Sequence, residues 1–326
     1  MTRPSLWILA ALVTLASVGA VLAFVDLGEL AADVRHLDLR ALFLLVIALQ
    51  AQQYLGSVRF RRFLPQVKIG WLKGWLIENI AGLATFVLPF GLGEGARIWA
   101  WKRMGGTRLS LAGTSYLLTR AIDATVVLAL LTGLSLLPIG GEAILNGGVR
   151  LVLALGAIAL AALWGLVLGR GQAWGTRLAL RLEGGNRSRI ACGLASLARA
   201  FADAAALPAA DLAVAALASL LFWAVQMGET FILAHATGLD LSFAQVLVVY
   251  MAWWVAALLP VQGFIRTGTH QAGWVGGLVL VGVPVDQAML AATVTHLLLL
   301  LRTVLAQGVT AVLYLFVARS RRKGNS

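Results

Sequence analysis

The sequence predicts an all-α polytopic membrane protein, with about six transmembrane helices and two re-entrant helical hairpins arranged as an inverted repeat. Three observations predict this fold: an apolar composition, several runs of membrane-spanning length, and basic residues gathered into clusters. Of the 326 residues, 60% are hydrophobic, only 12% are charged and 35 are glycine. This balance differs from that of soluble domains and indicates that lipid surrounds most of the chain.

Apolar runs define the individual spans, because about 18 apolar residues in a helix cross the hydrocarbon core of a bilayer. They predict six spanning helices, near residues 5–25, 39–58, 109–137, 148–169, 211–236 and 287–317. The first run follows Arg3 in the manner of a secretory signal, but it is long for a signal and further spans follow. It is therefore predicted to be a retained helix.

Two further apolar stretches, 74–104 and 243–282, are each interrupted by a cluster of proline and glycine. The first break contains Pro89, Gly91 and Gly93, and the second contains Pro260, Gly263 and Gly268. Proline and glycine interrupt helices, so each stretch is either a kinked span or a hairpin that enters and leaves the membrane on one side.

The distribution of the positive charges favours the hairpins. Basic residues cluster at 59–73, 97–108, 170–199 and 319–323. Cytoplasmic segments of membrane proteins carry the excess of lysine and arginine. Two plain spans would place the second and third clusters, with ten positive charges, outside the cell. Two re-entrant hairpins place all four clusters and both termini in the cytoplasm.

The two interrupted stretches also resemble each other at an offset of 176 residues. The offset pairs identical residues at Gly282 and Gly106, Ala288 and Ala112, and Thr295 and Thr119. It predicts two half-repeats, about 39–137 and 211–317, inside one integral membrane domain, 1–326. Because the hairpins would enter from opposite sides, the repeat is inverted, an arrangement typical of transporters. Chance similarity and simple packing kinks remain as alternatives.

Ionisable residues within the apolar segments supply the candidate binding site. Each costs about 3 kcal/mol or more at the centre of a membrane helix unless it is paired or hydrated, and a broken helix requires a wet cavity for its backbone groups. The candidate substrate-binding residues are Glu94, Arg97, Arg120, Asp123, Arg266, His270, His296 and Arg302. Glu78 and Glu229 are also expected to face the cavity. The alternatives are a structural Arg120–Asp123 ion pair, helix capping by Glu94 and Arg97, and a packing role for His270.

The sequence contains none of the common motifs of enzyme active sites. It has no P-loop, no HExxH, no CxxC and no Gly-x-Ser-x-Gly elbow. Cys192 is the single cysteine, which excludes a disulfide framework and a multi-cysteine metal site. We therefore expect no catalytic residue, no metal and no cofactor. The net charge of +12 is explained by topology and does not indicate a nucleic-acid partner.

The longest segment outside the spans, about 171–207, is too short for a catalytic domain and is predicted to be amphipathic. Its apolar residues recur at helical spacing, at Ile190, Leu194, Leu197 and Phe201. Such a helix is expected to lie on the anionic phospholipids of the cytoplasmic leaflet. A polar linker without lipid contact is the alternative.

Three stretches carry a family resemblance: LPFGLGEGAR at 88–97, KRMG at 102–105 and LTRAID at 118–123. Together they resemble the lysylphosphatidylglycerol synthase transmembrane region, a family also described as flippase-like, over nearly the whole chain. The resemblance implies a helical bundle with re-entrant hairpins that passes lipids or lipid-linked head groups across the bacterial inner membrane.

The resemblance extends to individual residues in the first half and weakens in the second. Glu94, Arg97, Arg120 and Asp123 match the polar positions of the family. In the second half, Gly263, Gly268, His270 and His296 stand where the family usually has a glycine-rich run with Arg-Glu and an arginine in the last helix. The aminoacyl-transferase domain of the fused relatives is not found in this sequence, so lysyl-lipid synthesis is not expected.

Three functions are consistent with these residues. The preferred one is transport of a membrane lipid or a polyprenyl-phosphate-linked substrate. A membrane-embedded transferase would act on a polyprenyl-phosphate or a phospholipid, with His270 or His296 as base, but it lacks a dedicated nucleophile or metal cluster. A non-transporting accessory subunit would have a dry or plugged cavity. Neither the identity of the lipid nor the oligomeric state follows from the sequence.

Overall fold

The computed structural model describes residues 38–64, 67–89, 92–135, 170–184, 189–258 and 263–323, together with Thr14, Leu15, Gly19, Gly28, Gly156 and Ile158. All regular secondary structure in these residues is helical. The helical class of the fold is thereby confirmed. The predicted spans at 5–25 and 148–169 lie almost entirely outside the described residues.

The first part of the chain forms helices α1 (Leu39–Arg62), α2 (Trp71–Val87), α3 (Leu92–Gly105) and α4 (Leu109–Ser135). Asp38 precedes α1, and its Oδ1 accepts a hydrogen bond of 2.8 Å from the backbone N–H of Arg40, as an N-terminal cap does. Pro89 lies in the break between α2 and α3. Gly106 ends α3 with φ +75°, a left-handed conformation that favours glycine.

The second part begins with a helical segment at 170–184. It continues with α5 (Arg189–Ala205), α6 (Ala209–Ala236), α7 (Phe243–Leu258), a short 3-10 turn (Phe264–Arg266), α8 (Thr269–Leu280) and α9 (Val285–Lys323). Pro208 and Pro284 directly precede α6 and α9, where a missing backbone N–H has no consequence for the helix.

Three described helices are long and apolar enough to cross a membrane: α1, α6 and the Val285–Leu315 part of α9. They correspond to the predicted spans near 39–58, 211–236 and 287–317. Helix α4 has 27 residues and covers most of the predicted span at 109–137.

Helices α2 and α3 pack against each other as an antiparallel hairpin. A methyl group added at Gly93 would lie 2.2 Å from the Cα atom of Thr85, so the two backbones are in close contact. Further along, Trp101 Nε1 donates a 2.6 Å hydrogen bond to Glu78 Oε1. From Gly93 to Trp101 the residue number rises along α3, while that of the contacting residue on α2 falls from Thr85 to Glu78. The two helices are therefore antiparallel.

Helices α7 and α8 form a second antiparallel hairpin, also built on glycine. A methyl group added at Gly273 would lie 2.6 Å from Trp253 Cα, and one added at Gly277 would lie 2.6 Å from Val249 Cα. Small residues permit such close helix contacts, which are common in membrane proteins. Gly276 faces away, because a methyl group there would have no atom within 4 Å.

The chain divides by its internal contacts into two compact units. Unit A comprises residues 1–53, 79–97 and 224–326, and unit B comprises residues 54–78 and 98–223. The core of unit A packs Leu45 of α1 with Trp274, Leu278 and Leu298. Helices α8 and α9, which carry the candidate residues His270 and His296, contribute to this core.

Unit B has its own aromatic core. The rings of Phe60 and Trp101 stack with centroids 4.6 Å apart, and Ile77 packs beside them. A second cluster joins Phe63 to Leu118 and to residues of the following helices. These contacts fix the end of α1 against α3 and α4.

The predicted amphipathic segment consists of the helical segment 170–184 and α5. A methyl group at Gly175 would lie 2.7 Å from the Ala198 carbonyl oxygen, so small residues bring the two helices together. Of the predicted apolar stripe, Phe201 packs on the core cluster that contains Phe63, whereas Leu194 is 49% exposed. The stripe is therefore not a continuous lipid-facing surface, because its end contacts the protein interior.

Candidate functional site

In unit A, a buried ion pair joins α6 to α9. Arg302 Nη1 donates to Glu229 Oε1, and Gln52 Nε2 of α1 donates to Glu229 Oε2 at 2.5 Å. The arginine and glutamate side chains are 11% and 6% exposed. Three helices thus meet at one carboxylate whose two oxygens both accept hydrogen bonds. Pairing of this kind is what permits an ionised group within an apolar bundle.

Unit A also brings together two of the predicted residues, His270 of α8 and His296 of α9. Their ring centroids lie 4.8 Å apart, and the residues are 2% and 5% exposed. His270 Nδ1 accepts a 3.1 Å hydrogen bond from Trp253 Nε1, and its Nε2 lies 3.2 Å from Thr295 Oγ1. An indole N–H can only donate, so Nδ1 carries a lone pair and Nε2 carries the proton. His270 is therefore held as a neutral, oriented imidazole.

His296 has a different environment from its neighbour. Neither of its ring nitrogens has a hydrogen-bond partner within the described part of the chain. A buried polar group in this condition costs about 1–3 kcal/mol and calls for an explanation, such as a bound molecule. A neutral imidazole offers one donor and one acceptor, so His296 can hydrogen-bond a ligand in both senses.

Arg302 and Thr295, the residue of α9 that contacts His270, lie on the same side of the helix. Thr295 and Arg302 are seven residues apart, which is two helical turns, or about 10 Å along the axis. Thr295 Oγ1 contacts His270 Nε2 and donates to the Ala292 carbonyl oxygen at 3.0 Å. Arg302 and the Thr295 hydroxyl that contacts His270 therefore lie on one face of α9, whereas His296 is about 120° from Arg302 around the helix axis.

The second break places Arg266 immediately before α8, under backbone strain. Ile265 and Arg266 have φ angles of 57° and 59°, a left-handed conformation that is uncommon outside glycine and unfavourable for a β-branched residue. Thr14 holds the turn, because its Oγ1 accepts from the Phe264 N–H at 3.0 Å and contacts Thr267 Oγ1 at 3.1 Å. Helix α8 then begins with the Gly268 N–H donating to Gln271 Oε1 at 2.8 Å.

Glu94 lies in the first turn of α3 and Arg97 in the second, within unit A. Arg97 Nε and Glu94 Oε2 are 3.7 Å apart, with side chains 15% and 22% exposed. A carboxylate at a helix N-terminus is favoured by the helix dipole, as the capping alternative requires. Of the predicted break residues, Pro89 precedes α3 and Gly93 lies in its first turn, while Gly91 and Pro260 lie outside the described residues.

In unit B, Asp123 of α4 has a partner that the sequence did not indicate. Arg59 Nη1 of α1 donates to Asp123 Oδ1 at 2.5 Å, with both side chains at most 3% exposed. Trp223 Nε1 donates to the same oxygen at 2.9 Å. The Arg59 guanidinium also lies 4.0 Å from the centroid of the Phe222 ring, a cation–π contact. Asp123 is therefore enclosed by protein groups.

Arg120 lies beside Asp123 but is the more distant cation. Its Nη1 is 3.5 Å from Asp123 Oδ2, and its side chain is 40% exposed. Its Nε donates to the Tyr116 hydroxyl at 3.1 Å. The predicted Arg120–Asp123 contact thus exists, but the 2.5 Å bond to Arg59 is the shorter one.

Arg59 and Gln52 are polar partners that the sequence did not place in the site, whereas Glu229 was expected to face the cavity. Arg59 belongs to a basic cluster that was assigned to topology alone. Glu229 stood out as a carboxylate within an apolar helix, but its partner lies 73 residues away and has no local signature. Glu78, expected at a cavity, is 2% exposed and bound to Trp101.

Among the described residues, no group of three or more His, Cys, Asp or Glu side chains is placed to hold a metal ion. The family model for the lysylphosphatidylglycerol synthase TM region matches residues 7–306. No curated protein and no solved structure gives a significant match. A family match over this length agrees with the long apolar helices and the buried polar pairs. The chain belongs to the lysylphosphatidylglycerol synthase transmembrane-region family, whose members are membrane proteins related to lipid modification or transport.

Proposed function

We propose that this protein translocates a lipid or a lipid-linked head group between the leaflets of the bacterial inner membrane, as a multi-pass protein without catalytic chemistry. The observation that carries the proposal is His296. It is a buried histidine in a spanning helix, and its two ring nitrogens lack partners among the described residues. Polar groups at such depth are typical of substrate pathways.

The proposed topology has six spanning helices, both termini in the cytoplasm and two re-entrant hairpins. Helix lengths support the hairpins, because α2 and α3 have 17 and 14 residues, and α7 and α8 have 16 and 12. At 1.5 Å per residue, these helices are about 18–26 Å long, shorter than the roughly 30 Å hydrocarbon core. In this proposal, α2–α3 enters from the cytoplasm and α7–α8 from outside, as the halves of an inverted repeat within one domain.

The proposed ligand group is a phosphate held in unit A. His296 donates a hydrogen bond to a phosphate oxygen, while the α8 N-terminus and Arg266 supply positive potential beside it. The formal charges of Arg302 and Glu229 cancel, so this pair orients α6 and α9 without adding charge. The acyl chains remain in the bilayer, and the site opens alternately to the two leaflets.

His296 would also serve the second candidate, a membrane-embedded transferase acting on a polyprenyl-phosphate or a phospholipid. An imidazole nitrogen without a protein partner is what a general base requires. The two functions differ in their product, because a transferase changes the lipid covalently and a translocator does not.

The test is the lipid content and transport activity of three purified proteins: the native chain, His296→Leu and His235→Leu. Leucine has nearly the volume of histidine but cannot hydrogen-bond. His235 is an exposed histidine of α6, so its variant is the matched control. Retained lipids are identified by mass spectrometry, and flipping of head-group-labelled phosphatidylglycerol and polyprenyl phosphate is followed in proteoliposomes.

We expect the native chain and the control to retain one class of phosphate-bearing lipid and to flip its labelled form. His296→Leu should lose at least about tenfold in both, since a hydrogen bond to a charged group contributes about 1.5–3 kcal/mol. Equal retention and flipping by all three folded proteins would contradict the proposal. A covalently altered lipid that His296→Leu fails to produce would support the transferase instead.

A further inference from the structure

We infer that the helical segment 170–184 carries a docking face for anionic phospholipid head groups. Arg170, Trp174, Arg177 and Arg181 are all exposed. At 100° per residue, these four positions fall within about 60° of one another around the helix axis. They therefore form a single stripe, here called the arginine face.

Packing directs the arginine face outward. Gly171, Gly175 and Ala179 are buried on another side of the same segment, centred about 130° from the arginine face around the helix axis. At Gly175, an added methyl group would lie 2.9 Å from the Ala202 Cβ atom of α5, so this side of the segment packs directly on α5. The three arginines of the stripe therefore lie away from the Gly175 contact with α5.

The charge of the arginine face is not neutralised by the chain itself. Glu183, the one acidic residue of the segment, forms an ion pair with Arg199 of α5. In the part of the chain that the structure describes, no acidic side chain pairs with Arg170, Arg177 or Arg181. Three positive charges on one helix face are complementary to an anionic surface.

Apolar side chains beside the arginines favour a lipid surface over a nucleic acid or an acidic protein. Trp174 is 52% exposed and Leu180 is 59% exposed. Trp174 is held edge-on against Phe201, with ring centroids 6.4 Å apart, so the indole is fixed at the surface. Tryptophan and arginine side by side are typical of the head-group region of membranes. Arg170 also directly follows the apolar run of the predicted span at 148–169, so we expect the stripe to start near the bilayer.

The single cysteine provides a specific reporter for this docking. Cys192 is exposed on α5, the helix that packs against segment 170–184. The full chain is labelled there with a fluorophore and reconstituted in nanodiscs of phosphatidylcholine alone or with 30 mol% phosphatidylglycerol. A nitroxide carried on the lipid head group quenches the fluorophore when the helix pair lies on the surface.

We expect phosphatidylglycerol to raise quenching at least about twofold in the native chain, and high salt to reverse the rise by screening. Arg170→Gln, Arg177→Gln and Arg181→Gln combined should abolish the dependence on phosphatidylglycerol. The single change Arg177→Gln should weaken apparent head-group affinity about fivefold, and it serves if the triple variant does not fold. The matched control removes three exposed charges elsewhere in unit B, with Lys102→Gln, Arg103→Gln and Arg108→Gln, and should behave as the native chain.

Equal quenching in the two lipid compositions would overturn the inference, as would loss of the dependence in the control. A labelled oligonucleotide or acidic peptide that binds neutral nanodiscs through the arginine face, with no response to phosphatidylglycerol, would overturn it in favour of that partner. The inference does not rest on lipid translocation, because head-group docking is measured without transport.

Discussion

The buried ion pairs of units A and B are alike in construction and opposite in polarity. Each joins two helices and includes a third side chain that donates to the carboxylate, Gln52 in unit A and Trp223 in unit B. In unit A the carboxylate, Glu229, precedes its arginine in the chain, whereas in unit B Arg59 precedes Asp123. Both units therefore contain a hydrogen-bonded ion pair within an apolar bundle, with the acidic and basic residues in opposite order along the chain.

The surroundings of the two pairs differ in a way that separates structure from function. In unit B, aromatic groups enclose the pair, with the Phe222 ring over Arg59 and the Trp223 indole on Asp123. In unit A, the helix that carries Arg302 also carries His296, whose nitrogens lack partners among the described residues. A pair enclosed by protein groups stabilises the fold, whereas the pair on the helix of His296 is proposed to orient α6 and α9 for a ligand.

The largest expected effect comes from breaking the unit B pair. Asp123→Leu leaves the Arg59 charge buried and should destabilise the protein by about 3–5 kcal/mol. Arg59→Met combined with Asp123→Leu should recover most of this loss, because the uncompensated charge is removed. Thermal unfolding in detergent measures both. A double variant no more stable than the single one would show that the pair is not the cause.

The second prediction distinguishes the two pairs by function. Glu229→Gln should destabilise unit A by several kcal/mol, and the double variant Glu229→Gln with Arg302→Met should restore stability. Lipid retention should nevertheless stay below that of the native chain, because the ion pair that orients α9, the helix of His296, is lost. The Arg59→Met, Asp123→Leu double variant should retain lipid normally. If both double variants retain lipid equally, the proposed difference between the units is wrong.

The third prediction compares, in each hairpin, a glycine that contacts the facing helix with a nearby glycine that does not. Gly93→Ala and Gly277→Ala should each cost about 1–3 kcal/mol, because the added methyl group meets backbone atoms of the facing helix at 2.2 and 2.6 Å. Gly95→Ala and Gly276→Ala are the controls, since neither methyl group would have an atom within 4 Å. Their unfolding midpoints should be unchanged or slightly raised. If Gly93→Ala and Gly95→Ala, or Gly277→Ala and Gly276→Ala, changed the unfolding midpoint equally, the close helix packing would be contradicted.

The smallest expected effect concerns the orientation of His270. Trp253→Phe removes the indole N–H that Nδ1 accepts, at a cost of about 1 kcal/mol. With Nδ1 released, the ring tautomer is no longer fixed, and 15N spectra of the imidazole should show both neutral forms. A single Nε2–H form persisting in the variant would show that Thr295 alone sets the tautomer.

The sequence predicted the helices better than the contacts of the site. Helix α6 and the break after Val87 were predictable because a long apolar run favours a helix and a proline interrupts one. The Arg120–Asp123 contact was predictable from its spacing of three residues. Arg59 was not, because its partner lies 64 residues away and its own position resembles that of a topological charge.

The second-half residues show the same limit. His270 and His296 were singled out as polar groups in apolar helices, and the structure brings their rings together. Their opposite hydrogen-bonding states depend on Trp253 and Thr295, which the fold supplies from two different helices. Periodicity carries no information on which of two buried histidines is satisfied.

The most direct test of the central claim is a distance between His296 and lipid phosphorus. The chain has four histidines, so 15N-histidine labelling gives a simple solid-state spectrum, and His296→Leu assigns the relevant signal. We predict 31P–15N dipolar dephasing of the His296 nitrogens, at about hydrogen-bonding range from a phosphate, with none at His235. Lipid that is selectively retained while His296 shows no dephasing would contradict it.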